Sequence, residues 1–249
     1  MSNNIDFKKL IILMILTITA INCKSINVAK ETQTKTTNPI TLVSIGEDKQ
    51  FLLEKDYNST AIPSFDKPVK VSANVLEFNK TIYKAFSQAN NKKSLPLTIN
   101  FVDSLDIKPR FLKLELVDRV SILNALNNKE NSVVKDYIQN KKEAHIISAI
   151  SIVFDEEKTK SILDADALFL EQEPNKTFVL RAYKNNSILG SFKFSEGVVF
   201  AYQASNFCWQ ENDKYKLNIV DIVESTDKCP NSTYRSAKRA KKKIDYFKL

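Results

Sequence analysis

The sequence predicts an α+β fold: a single domain over residues 39–249, with an antiparallel or mixed sheet, several helices and a basic C-terminal helix. Three observations predict it. Apolar residues recur at helical spacing in the first half, at Val75, Phe78, Ile82 and Phe86. β-branched runs and a hairpin signal dominate the second half. Apolar residues make up 43% and aromatic residues 10%, with no shift in composition strong enough to divide residues 40–249. That balance belongs to one folded body with a real core.

Each element has its own signal. Residues 40–45 and 50–53 read as short strands around a turn at Gly46-Glu47-Asp48, and residues 69–73 as another strand. Asn74 followed by Glu77 has the spacing of a capping box, so a helix is expected over 75–89. Residues 96–102 alternate, with Leu97, Ile99 and Phe101 on one face, and read as a strand. In 111–117, Leu112, Leu114 and Leu116 point inward and Lys113 and Glu115 outward. Asp118 caps a helix carrying Val120, Leu123 and Leu126, and Asn131 or Ser132 starts another.

From Ala144 the pattern turns to β. Residues 145–154 form a β-branched run fit for a central strand. A short helix is expected at 157–163 and a strand at 167–171. Residues 177–184 and 187–195 are joined by Asn185-Asn186, and asparagine tolerates the positive φ of a tight hairpin turn. Gly197 opens a strand over 198–203, and 215–224 is the last strand. In 232–247, Tyr234, Ala237, Ala240, Ile244 and Phe247 make a narrow apolar stripe, with Arg and Lys filling the other face.

The N-terminus carries an address. Lys8 and Lys9 precede an uncharged apolar run over 10–21, and Cys23 follows. A spanning helix needs about 20 apolar residues, so this run has the length of a signal-peptide core instead. Ala20-Ile21-Asn22-Cys23 resembles the lipobox of a bacterial lipoprotein of the Bacteroidetes type. The resemblance covers residues 1–23 only. It implies removal of 1–22, lipidation of Cys23 and, because Lys24 is not the aspartate that retains lipoproteins at the inner membrane, an outer-membrane location facing the periplasm. The alternative is a secretory signal cut after Ala20, leaving Cys23 as a thiol. Residues 24–38 are polar and without apolar periodicity, and read with Cys23 as a flexible tether.

If Cys23 carries lipid, Cys208 and Cys229 are the pair left to form a disulfide in an oxidising compartment. Closing a loop of about 20 residues contributes roughly 3 kcal/mol. The alternative is two unpaired thiols, with Cys208 buried beside Phe207 and Trp209.

The formal net charge of +8 is concentrated at the C-terminus, where residues 235–249 hold seven Lys and Arg against Asp245. Arg235, Lys238, Arg239, Lys241, Lys242 and Lys243 are the candidates for contact with anionic envelope material; the same residues on a docked helix would be merely solvated. An exported chain makes nucleic acid a poor partner for that charge. Tyr202 and Trp209 are candidates for stacking on sugar rings, or else pack the core beneath the disulfide.

Other chemistry is thinly provided. Only three glycines occur, which argues against glycine-rich phosphate loops and dinucleotide folds. His145 is the sole histidine and lies in an apolar run, so an imidazole-rich metal site cannot be built in one chain. Carboxylates cluster at Asp164 and Asp166, at Glu171 and Glu173, and at Asp155 to Glu157. A glycoside hydrolase needs two of them facing across a sugar, which sequence cannot establish. The expectation is a non-enzymatic structural, scaffold or binding protein of the envelope, without cofactor or metal. It would be held to the membrane by its lipid and meet an anionic component or a protein partner. A surface glycan-binding module and a carboxylate-dependent hydrolase are the alternatives.

Overall fold

Strands outweigh helices in this chain. A computed structural model describes residues 24–51, 54–104 and 106–241. Twelve strands join in one sheet: β1 (Ser25–Val28), β2 (Glu31–Lys35), β3 (Ile45–Phe51), β4 (Glu54–Ala61), β5 (Val69–Glu77), β6 (Arg110–Leu116), β7 (His145–Val153), β8 (Ala167–Gln172), β9 (Phe178–Lys184), β10 (Ser187–Lys193), β11 (Val198–Glu211) and β12 (Leu217–Glu224). The helices are α1 (Lys80–Asn90), α2 (Arg119–Asn127), α3 (Ser132–Asn140), α4 (Glu156–Leu163) and the single turn α5 (Ala237–Ala240). The main path through the sheet is β1-β2-β11-β7-β6-β5-β8-β9-β10, and each pairing along it is antiparallel. The domain is sheet-rich and antiparallel throughout, which resolves the "antiparallel or mixed" expectation.

β7 and β11 form the axis. Val198 lies opposite Val153 at one end and Ser205 opposite Ile146 at the other. The 14 residues of β11 exceed what one neighbour can pair, so β2 takes its first half and β12 its second. β7 is shared in the same way between β6 and β3.

The expected hairpin β9–β10 is present, with Asn185 and Asn186 at φ 49° and 62°. The cap at Asp118 is present too, accepting the backbone N–H three residues on, and Asp155, not singled out from the sequence, caps α4 in the same way. Several other expectations are corrected. Residues 24–38 are no tether: β1 and β2 form a hairpin docked on β11, burying Ile26, Val28 and Gln33. Residues 74–77 belong to strand β5, and α1 starts at Lys80, because Asn79 rather than Asn74 supplies the cap by accepting from Ile82 N. Gly46 is not a turn but lies within β3. A Cβ there would sit 2.0 Å from the Asn58 carbonyl oxygen, so the close approach of β4 requires glycine. Residues 40–44 are no strand, since Val43 at φ 59° takes the backbone out of the extended region. Residues 96–102 do not pair either, although Leu97, Ile99 and Phe101 face the core as their alternation implies.

One side of the central strands carries an aromatic cluster under α1. Phe78, Phe86, Phe111 and Phe200 meet with ring centroids 5.0–6.2 Å apart. Farther along that side the same strands turn polar. Lys113, only 4% exposed, reaches Glu31 at 2.5 Å and Glu115 at 3.0 Å. Ser151 donates to Gln33 Oε1 at 2.6 Å. Lys113 was expected to point into solvent; the β1–β2 hairpin covers it. A larger apolar cluster joins the remaining strands with α2, α3 and α4.

Candidate functional site

The C-terminal end of β11 gathers most of the residues singled out in the sequence. Cys208 and Cys229 form a disulfide, with Cα atoms 5.6 Å apart. Cys208 was expected just beyond the strand; it lies inside β11, opposite Asp221 of β12. The bond therefore pins the loop after β12 back onto β11, rather than joining two strand ends. Beyond it the chain runs along β11 again. Trp209 and Tyr234 exchange both backbone hydrogen bonds, at 2.8 and 3.0 Å. Ala237 and Ala240 then bury themselves, which leaves Lys238, Arg239 and Lys241 exposed. The expected 16-residue basic helix is one turn among the described residues. Lys242, Lys243 and the rest of it lie outside them, as do Cys23 and the signal segment.

The local sequence explains the arrangement. A disulfide and two bridge hydrogen bonds fix residues 229–234, so the following turn needs little helix propensity of its own. Two alanines three residues apart give it a narrow buried edge, and the long cations between them stay in water.

Beside this segment lies a small, shallow recess between the α3–β7 loop and β11, lined by Lys141, Lys142, Arg235, Asn206, Trp209 and apolar neighbours. Asn206 is 2% exposed and organises the floor. Its Oδ1 accepts from Arg235 Nη2 at 2.6 Å and lies 3.3 Å from His145 Nδ1. Its Nδ2 donates to the Glu224 carbonyl at 3.4 Å. Three cationic residues line this recess and, among the described residues, no carboxylate does. Lys141 and Lys142 escape sequence reasoning. Their only signal is a pair of cations closing a helix, which reads equally well as a complement to the helix dipole.

Other candidates fare differently. Tyr202 and Trp209 are each 1% exposed, so neither offers a face to a sugar and the stacking reading is overturned. Tyr202 instead donates to Asp48 at 2.8 Å and packs 5.5 Å from Tyr57. Tyr57 donates to the Ser44 carbonyl, and burial holds its hydroxyl far above the usual tyrosine range. The carboxylates expected as pairs have separate tasks. Asp155 caps α4, Asp166 accepts from Asn185 N, and Glu171 accepts from Tyr183 and pairs with Arg181. A second, shallow recess between α2 and β6, β7, β11 and β12 includes Glu115, Arg119, Ser148, Gln203, Ser205 and Glu224. There Glu115 is held by Lys113, and Ser205 donates to Ser148, which donates to the Gln203 carbonyl. Neither hydroxyl is paired with a general base, as an activated nucleophile requires. Compared with protein-family models, curated proteins and solved structures, the chain matches none of them.

Proposed function

We propose that the protein is a lipid-anchored, non-enzymatic binding component of the bacterial envelope. Cys23 attaches it to the outer membrane, facing the periplasm, and the cation-bearing end of β11 meets anionic envelope material. The observation that carries this reading is the gathering of Lys141, Lys142, Arg235, Lys238, Arg239 and Lys241 on one end of the domain, with the last four on a segment pinned by the disulfide and the Trp209–Tyr234 bridge. A cation near an anionic surface is worth about 1 kcal/mol, so a fixed cluster of this size makes a salt-sensitive contact.

The docked hairpin sharpens the geometry. Lys24 already hydrogen-bonds Lys35 at the sheet, so a lipid on Cys23 would hold the body directly at the membrane. Lys35 lies opposite Ala201, and Trp209 is eight residues farther along β11, roughly 27 Å at strand rise. That is about three Debye lengths at physiological salt. An upright domain would therefore present its cations away from its own leaflet.

Two measurements test the reading. Fatty-acid labelling should be lost in Cys23→Ala. Binding to phosphatidylglycerol vesicles should fall at least tenfold in K238Q/R239Q/K241Q and weaken with salt in the parent. Unlabelled parent protein would remove the anchor, and unchanged vesicle binding would remove the cationic contact.

A further inference from the structure

We infer that the recess framed by Lys141, Lys142 and Arg235 is a binding site for a compact tetrahedral oxyanion, a phosphate group, held as a discrete ligand rather than by diffuse surface charge. The inference rests on the anionic-contact reading above and names the chemistry of one site within it.

The geometry carries it. Arg235 is a preorganised donor, since Asn206 fixes one end of its guanidinium at 2.6 Å. Asn206 is itself buried and tied to β12 through the Glu224 carbonyl. A guanidinium presents five N–H donors in a planar fork that matches the oxygens of a phosphate. Among the described residues Arg235 has no carboxylate partner, nor do Lys141 and Lys142. The two lysines, which also line the recess, add point charges.

One opposing effect is present. α3 ends at Asn140, and a helix C-terminus carries about half a negative charge. Three full positive charges outweigh it. The polar floor also matters: Arg235 donates to the Asn206 Oδ1, so that acceptor is already covered by a cation.

The site has a built-in reporter. Trp209 is the only tryptophan of the chain and lines the recess. Inorganic phosphate is titrated at constant ionic strength, with chloride as the balancing ion, while Trp209 fluorescence is followed. A saturable change is expected that Arg235→Gln weakens at least tenfold. K141Q/K142Q, two exposed positions at the end of α3, should weaken it to the same degree while leaving the urea unfolding midpoint unchanged. K238Q/R239Q/K241Q should change it less than twofold. Phosphatidylglycerol vesicles then identify the source of the phosphate. If K141Q/K142Q also loses tenfold in vesicle binding, the ligand is a lipid headgroup; if vesicle binding is unchanged while phosphate binding is lost, it is a free phosphate. A linear response equal to that of chloride, or a saturable one that survives K141Q/K142Q, overturns the site. If that happens while K238Q/R239Q/K241Q still loses vesicle binding, the broader cationic contact stands without the recess. If the triple variant also binds normally, both fail.

Discussion

Phe200 and Trp209 lie nine residues apart on β11, and both are buried, but by different means. Around Phe200 the closure is apolar: α1 lays Phe78 and Phe86 over the strand, and Phe111 comes across from β6. Trp209 packs into the larger apolar cluster, but the segment that covers it is held by covalent and polar links. A disulfide, two backbone hydrogen bonds to Tyr234 and the contact of Arg235 with Asn206 hold a cationic segment in place. Apolar burial is indifferent to redox state and nearly so to salt. Disulfides and charged contacts are not. The two ends of one strand therefore answer to different conditions, and the end that responds to its surroundings is the one carrying the candidate site.

The largest effect should come from the apolar end. Phe200→Ala removes a fully buried ring from the centre of its cluster, which costs about 3–5 kcal/mol. Against the 5–15 kcal/mol typical of a domain, urea unfolding would register this as loss of much of the total stability. The comparison is sharpened if phosphate binding at Trp209 stays within twofold below the unfolding transition. Coupled loss of both would merge the two ends into one unit.

Next comes the disulfide. Cys229→Ser opens a link of sequence separation 21 and should cost about 3 kcal/mol by the chain-entropy argument. Cys229 is half-buried whereas Cys208 is fully buried, so the substitution at 229 disturbs packing least. Hydrogen exchange should accelerate across residues 228–241 and remain unchanged in α1. A uniform loss of protection would break the comparison, because it would mean that the disulfide serves the whole domain.

Between the two ends stands Lys113. Lys113→Met leaves Glu31 and Glu115 without their cation. Each glutamate side chain is about one-third exposed, so water recovers part of the loss, and about 2 kcal/mol is expected rather than the 3–5 of a fully buried pair. Burial pulls the Lys113 ammonium down, but its hydrogen bonds to Glu31 and Glu115 and their charges together outweigh that and raise it. A raised folded value means that the contribution is complete below the ordinary lysine value near 10.4 and disappears as pH climbs through the folded value. The stability gap between parent and variant should be flat from about pH 6 to 9 and close above about pH 10.5. Limited proteolysis should also cut residues 24–38 sooner in the variant.

That hairpin explains most of what the sequence concealed. Its inward face carries Glu31 and Gln33 beside Ile26 and Val28, so the apolar period is broken where the buried partners are polar. The same omission sent Lys113 and Glu115 outward on β6. The two misreadings share one cause: a polar pair buried between strands 82 residues apart looks like two solvated surfaces when each is seen alone. Turn chemistry separates the two hairpins as well. Asn185-Asn186 announces its positive φ, whereas the β1–β2 turn uses Ala29 at φ 57°, a residue with no turn signature. Legible features were those fixed locally: the cap at Asp118, the β-branched run of β7, and the cysteine pair. The recess was not legible because it joins Lys141 to Arg235 across the fold, and no local pattern links them.

The smallest effect compares the ends most evenly. Asp118 follows β6 and Asp155 follows β7, and these neighbouring strands run antiparallel, with Glu115 opposite Ala149. The two caps thus sit at opposite ends of the sheet, roughly 30 Å apart at strand rise. Asp118 accepts from Ser121 N and Oγ at 3.0 and 2.6 Å, and these bonds hold its carboxyl below the usual range. Asp155 accepts from the Lys158 side chain and backbone, with the same consequence. A depressed folded value means stability that is present above the ordinary aspartate value and lost as pH falls through the folded one. Alanine at either position should cost about 1 kcal/mol at pH 7. The double variant should cost their sum, since distant sites without shared partners add. Asparagine also caps well, so D118N/D155N should keep most of the stability at pH 7 yet lose part of the acid dependence below about pH 4. If the alanine pair instead exceeded additivity by 1 kcal/mol or more, the ends would be coupled through the β6–β7 ladder. The independence read from Phe200 and Trp209 would then hold for side-chain packing but not for the backbone that joins them.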